Sequence, residues 1–585
     1  LLAILNTSHV TTVQNKQGFT KALIEVRNIT SQSTTQKESV LEKTIFSIAF
    51  DRNIRRLSKC QDAGDILALV RDSGRQFRAV ELCHVLALRN GAEICDSEAL
   101  LTEFDISDIT QCLVTVGSDS FVNLVHPGLR VYLQHYGKSS KCPLDLSDKN
   151  SMLAQICMSY LSSQQFSNGA CTTREDLTAR ISKSPFLDYA AKYWHRHYAE
   201  ANKSGTDMAL RNAALQFLSQ DGPVSSARQI MSLSQPLPKG HEQSQTQLCN
   251  GDKTPAAAND VSARQTHLNT TGLHLAIQLR LDELAIILAT GKNSSTINRT
   301  DGDGETPLHL AVALEANVVA QNLVHNGGDI NAQNLEGFSP WHIATANGNL
   351  SVVRMFLKQP AEGLDMNQLV SPKEDQHQSQ LVTTSNGSSA RNEQTAYGAT
   401  ALHLAARNGH VEIVRRIISD ARCKELIEDC SGMTEFHKAC SYGQLEVVRL
   451  LIETSAKYVR HHSKQNGRIG FHLACKYEAG YEVAKFLLEA YPDLCRIPDN
   501  NGDVALHHAA IGGVVNTVQL LLQQPDININ PRNKKGQTPL ALAAEYDSAA
   551  LCTLYDHEGV YRWISVMGRP VEEIVRQQRE RHVDS

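Results

Sequence analysis

Several things are missing from this sequence, and each absence narrows what the chain can be. No Cys-x-x-Cys pair occurs among its 14 cysteines, and their spacing from Cys60 to Cys552 repeats in no staple-like pattern. A disulfide framework is therefore not expected, and the expected compartment is a reducing one, the cytoplasm with the nucleus also open. No run of about 18 apolar residues exists, so no helix can be drawn across a bilayer. The sequons Asn28-Ile29-Thr30 and Asn386-Gly387-Ser388 then read as chance matches. Basic charge is not in excess: 57 Lys and Arg stand against 62 Asp and Glu, a net charge of -5. That balance argues against gripping a phosphate backbone, which needs a dense basic face. A phosphate-cradling loop is lacking as well, because Gly137-Lys138-Ser139 has Tyr132 where the first glycine belongs. No Gly-x-Ser-x-Gly elbow appears either.

What remains is ordinary globular material, 41% hydrophobic and 20% charged, too apolar for a wholly disordered chain. With roughly 100–200 residues per domain, three or four units are expected. The chain opens on Leu1, and the expectation is that it is part of something longer.

A repeat dominates the second half. A Leu-His or similar pair opens an apolar segment at His274, His309, His342, His403, His437, His472 and His507, and Ala541 takes that slot in a last copy. Successive differences are 35, 33, 61, 34, 35, 35 and 34 residues; the outlier is one period plus an insertion of about 28. The fullest copy runs Asn298-x-x-Asp301-x-x-Gly304-x-Thr306-Pro307-Leu308-His309-Leu310-Ala311. Gly304 sits where a tight turn needs positive φ. Thr306 is placed to cap a helix, with Pro307 at its first position. Second helices such as 352–357, 411–416 and 447–452 carry an apolar stripe with arginines outside. The period and this grammar resemble the ankyrin family, so a mainly α fold is expected, with about eight repeats stacked into a solenoid over 267–555. The segment 361–396, rich in Gln, Ser and Asn, reads as a surface insertion. Copies five and six depart most: Glu435 replaces the proline, and Ile469 lacks the hydroxyl cap. A lost cap costs about 1 kcal/mol, so the array is expected to be softest around 455–475.

Upstream the pattern changes. Periodicity predicts helices over 77–88 and from 105, then two alternating runs around Gly117-Ser118-Asp119 that read as a β-hairpin, then a helix at 129–133. That order is the order of a winged-helix unit. These residues, with the helix 152–161 and the segment Pro185-Phe186-Leu187-Asp188-Tyr189 that follows, resemble the region after the nucleotide-binding module in fungal NACHT–ankyrin proteins of the STAND class. The likeness covers about 71–235, and Pro127-Gly128 departs from the family's pattern. It implies a helical remnant of the upstream module over 1–70, a winged-helix domain at 71–140 and a helical domain at 148–235. A linker at 236–266 would lead to the array, and a helical tail at 556–585 would follow it. A cofactor is not expected within the chain; ATP or GTP would enter only through an upstream NACHT module.

The chemistry-bearing residues mostly have plain structural readings. The recurring histidines serve, in the family that the repeat resembles, as hydrogen-bonding residues. His437 with Cys440 and His472 with Cys475 could be imagined on zinc, but packed helix axes lie about 8–10 Å apart, whereas a ligand sits about 2.0–2.3 Å from the metal. Asp301-Gly302-Asp303-Gly304 is similar to a calcium loop, yet Leu308 and Leu310 stand where oxygen ligands are needed. A winged helix can read DNA, but Glu103, Asp105 and Asp108 carry the wrong sign. The expected function is protein–protein interaction on the concave face, with Glu336, Phe338, Arg468, Asn500, Lys534 and Lys535 as candidate contacts, and with neither nucleic acid nor membrane as partner. Rival readings are a plain scaffold without a nucleotide switch, and an enzyme of a type that no motif identifies.

Overall fold

The computed structural model describes residues 61–89, 103–110, 113–124, 129–130, 133, 149–203, 205, 207–233, 269–291, 296–360, 362–371, 397–525 and 527–583. They fall into two units, Leu1–Leu284 and Ala285–Ser585. Residues 1–60 of the expected remnant 1–70, the phosphate-loop look-alike at Gly137, residues 125–128 and the linker 236–266 lie outside the described residues.

In the first unit, helix Gln61–Asp72 precedes helix Ala79–Arg89 and helix Glu103–Ile109, and strands Val114–Val116 and Val122–Leu124 pair antiparallel with Thr115 opposite Asn123. The helix expected from Phe77 starts at Ala79 because the two residues before it are used by the hairpin: Val122 donates its N–H to the Phe77 carbonyl at 2.8 Å, and Arg78 bridges Phe121. The turn puts Ser120 at φ 61, a left-handed position in a sequence whose glycine is three residues earlier.

Helices Asn150–Leu161 and Leu187–Ala201 form the centre of this unit, flanked by Met208–Leu218 and Asp221–Met231. Aromatic rings fill the space between them, with Tyr160, Phe166, Phe186, Tyr189, Trp194 and Phe217 all essentially inaccessible. Polar ties hold the hairpin segment to these helices. Arg75 makes a forked pair with the buried Glu81 carboxylate, both bonds 2.7 Å, and reaches Asp188 at 3.1 Å. The Tyr189 hydroxyl accepts the Gly74 N–H at 3.1 Å and meets His197 Nε2 at 2.9 Å. Helix Gly272–Gln278 packs on the Met208–Leu218 helix, so closely that a Cβ on Gly272 would stand 1.8 Å from the Leu218 carbonyl oxygen.

The repeats form as eight helix pairs among the described residues, from Gly272–Gln278 and Asp282–Thr290 to Pro539–Glu545 and Leu551–Asp556. First helices are only seven or eight residues long, too short to persist alone; neighbours supply what the helix lacks. From the second unit's first pair onward, consecutive first helices stack, with Leu308, Ala311, Leu402, Ala405, Phe436, Phe471 and Leu506 buried. The small residue at the Ala311 position lets the helices approach. At the turn between the helices of a pair, Gly348 takes φ +77 while Glu315 is forced to φ +58 at the equivalent place.

Three details differ from the sequence expectations. Residues 362–371, read as part of the insertion, belong to a repeat instead: Leu364, Met366 and Val370 are buried. Val370 accepts the Gly398 N–H at 2.8 Å and donates to Ala399 at 2.9 Å. The backbone on the two sides of 372–396 is therefore paired, and 372–396 themselves lie outside the described residues. A missing hydroxyl is also more widespread than expected: Ile469 lacks one as read, Val504 lacks one too, and Thr434 keeps its own on His437. Finally, the tail opens with a two-residue-strand hairpin, Ser565–Val566 with Arg569–Pro570, before helix Val571–Val583.

Candidate protein-binding surface

The surface is built by a clamp repeated along the array. In each repeat from His309 to His507 the ring Nδ1 accepts the N–H of the residue three earlier, as Thr306 to His309 at 3.0 Å and Ile469 to His472 at 3.2 Å. An accepting Nδ1 leaves the proton on Nε2. That N–H donates forward into the next repeat: His309 to the Phe338 carbonyl at 3.0 Å, His403 to Met433 at 2.9 Å, His437 to Arg468 at 3.0 Å and His507 to Gln537 at 3.1 Å. One side chain thus closes a helix start and fastens the neighbouring hairpin. Burial pushes the rings of His309, His342 and His437 down to about 4 and that of His472 to about 3, against the smaller upward pull of the facing carbonyls. They are neutral near pH 7.

Two more devices were not legible as such in the sequence. At the hairpin tips a carboxylate or amide gathers backbone N–H groups: Asp301 takes those of Asp303 and Glu305, each at 3.0 Å, and Asn533 takes those of Lys535 and Gln537 at 3.0 and 2.9 Å. This is the Asx-turn preference of short polar side chains, and Gly304 at φ +74 completes the tip as expected. In the segments that lead into the tips Asn298, Asn331, Asn367 and Asn530 each donate to a carbonyl and accept an N–H from the following repeat, Asn530 for example from Tyr561 at 2.8 Å. Tips also touch one another through backbone, as Lys534 to Asn501 and Asn500 to Asn466, both 2.9 Å.

The zinc reading fails on these contacts. Both ring nitrogens of His437 and of His472 are engaged by protein, and Cys440 and Cys475 are fully buried with thiols raised by that burial. Among the described residues no group of three metal-ligating side chains converges, and none of their helices is long and apolar enough to cross a membrane.

The sequence pattern and the stacked geometry agree with what comparison finds. A family model described as ankyrin repeats in three copies matches residues 273–370, 376–462 and 471–561. The C-terminal half carries ankyrin repeats. The human transient receptor potential cation channel subfamily A member 1 is 26% identical over 244 residues, 39% of this chain and 21% of its own length. Mouse Rabankyrin-5 is 27% identical over 264 residues, 43% of this chain and 22% of its own length. The chain thus aligns with about a fifth of the length of these two relatives. Among solved structures, the human ASB11 ankyrin repeat domain covers 44% of this chain and 100% of its own, with 22% identity and a TM-score of 0.33.

On the ankyrin array the six candidate contacts separate into two kinds. Glu336, Asn500, Lys534 and Lys535 lie exposed at hairpin tips. Phe338 and Arg468 are half-buried and partly structural. Phe338 packs against Ala399 and Leu404, and Arg468 stands 3.5 Å from the buried carboxylate of Asp499. A row of side chains at the ends of the first helices escaped the sequence reading. Five residues after the histidine slot stand Tyr442, Tyr477 and, in the last copy, Tyr546, with 39%, 41% and 59% of their surface exposed. The signal was available: a large ring just beyond the last buried turn of an amphipathic helix has no core to enter.

Proposed function

We propose that the ankyrin array holds a protein partner on its concave face, formed by the hairpin tips and the exposed ends of the first helices. The observation that carries this reading is the clamp ladder. Buried histidine bonds and more exposed asparagine bonds run from repeat to repeat, so the frame does not depend on exposed tip side chains such as Lys534 and Lys535, which can vary for recognition. A rigid frame with variable, exposed side chains binds with little ordering cost. Photo-cross-linking of the full chain tests it. A cross-linker at Lys534 or Tyr442 is expected to capture protein that one at Arg415, on a second helix, does not. Equal capture at all three positions would refute it.

The finer reading is that this chain is the sensor or regulatory part of a STAND-type signalling protein. It is supported by the hairpin-bearing helical segment preceding the repeats in the order that the resemblance implies. In that reading partner binding restrains or releases a nucleotide-driven switch upstream, and the nucleotide belongs to that module. A Gly-x-x-x-x-Gly-Lys-Ser/Thr motif before Leu1 is the decisive test. A plain ankyrin scaffold remains the second reading, favoured by relatives that align over the repeats; a longer transcript without that motif would select it.

A further inference from the structure

The row of tyrosines is accompanied by cations. The Arg407 guanidinium lies over the Tyr442 ring of the following repeat, 4.8 Å from its centre, and the Lys476 ammonium lies 5.6 Å from the centre of Tyr477. The four residues sit at the same two places in three consecutive repeats, the last residue of a first helix or the one just after it. Two buried carboxylates of these repeats are already committed. Asp429 is sealed against Lys438 at 2.6 Å, and Asp499 is buried against His508 and Arg468. Lys476 has no carboxylate within ion-pair distance among the described residues, and its ammonium is held below the ordinary lysine value by burial and by the charge of Arg468. Glu478 is exposed beyond it, while Lys464 adds a further exposed cation at the adjoining tip.

We infer that the strip Arg407, Tyr442, Lys476 and Tyr477 takes an acidic peptide segment, a carboxylate on the Lys476 ammonium and its apolar or proline side chains on the tyrosine faces. The inference rests on the reading that the array holds a protein partner, and names the chemistry of that partner. The physical reason is preorganisation. The fold already bears the cost of half-burying Lys476 without a counter-ion, so an arriving carboxylate relieves a penalty instead of creating one. Tyrosine rings offer flat area with few torsions to freeze, and each is already oriented by a cation.

The test uses the full chain and short fluorescein-labelled peptides of repeating Asp-Leu-Pro, Asn-Leu-Pro and Lys-Leu-Pro, read by fluorescence anisotropy at about 0.15 M salt. The Asp peptide is expected to bind and the other two to bind at least about tenfold more weakly. Lys476→Met and the pair Tyr442→Ala with Tyr477→Ala should each weaken the Asp peptide about tenfold, while Tyr477→Phe, which keeps the ring, and Lys457→Ala, which removes one charge outside the strip, should leave it unchanged. Equal binding of the Asn peptide, equal loss in Lys457→Ala, or no binding of the Asp peptide overturns the inference. If the cross-linker at Tyr442 still captures a partner in that event, the binding role stands and only its acidic character falls; if capture fails too, the role itself falls.

Discussion

Acid should dismantle the ankyrin array from within. Four clamp rings carry values near 4 or 3 in the folded chain, against about 6.5 for an unfolded histidine. A depressed value means that the folded state favours the neutral ring, so the stabilisation is complete above about pH 6.5 and is lost as pH falls from there toward 4. At pH 5 the unfolded ring is almost wholly protonated and the folded one is not. The loss is about 2 kcal/mol per ring, and about 8 kcal/mol for four, as large as the stability of many whole domains. Geometry sets the direction: a proton arriving at Nδ1 of His309 meets the Thr306 N–H that it should accept. Urea melts of the full chain, followed by circular dichroism from pH 7.5 to 5, should show midpoints that hold to about 6.5 and then drop steeply. Hydrogen exchange at pH 5, corrected for the intrinsic rate, should place the opening at 306–342 and 434–472. A midpoint that does not move between 7.5 and 5 would refute the reasoning, as would exchange that spares those peptides.

Four further perturbations test the packing. Gly512→Ala puts a Cβ 1.9 Å from the Lys476 carbonyl oxygen of the neighbouring first helix, so the array should lose about 1–3 kcal/mol, read as a lower melting midpoint; an unchanged midpoint means that the helices can part freely. Glu315→Gly removes a side chain from φ +58 and should raise stability by up to about 1 kcal/mol, visible as slower exchange over 307–325. Val504→Thr supplies the hydroxyl that repeat seven lacks and should slow exchange in helix Ala505–Gly512 by a few-fold, in line with about 0.5–1 kcal/mol; faster exchange would show that the His507 clamp already does that work. In the other unit, Arg75→Ala strands the buried Glu81 carboxylate and should cost about 3–5 kcal/mol, whereas Lys203→Ala on an exposed pair should cost nothing measurable by the same melt.

A period near 34 residues, a glycine for the tip, a hydroxyl before the first helix and an apolar stripe on the second are local requirements, each written in adjacent residues, and together they specify the array. The hairpin Val114–Val116 with Val122–Leu124 was legible for the same reason, since alternation and turn chemistry are local. What the fold alone decided is everything that depends on a neighbour about 30 residues away. That Phe77 and Arg78 leave their helix to pair with the hairpin, that residues 362–371 belong to a repeat, and that Arg468 lies against Asp499 follow from contacts between segments with no shared local pattern. The same holds for the binding strip. Arg407 and Tyr442 are 35 positions apart, and only the side-by-side stacking of short helices brings one over the other.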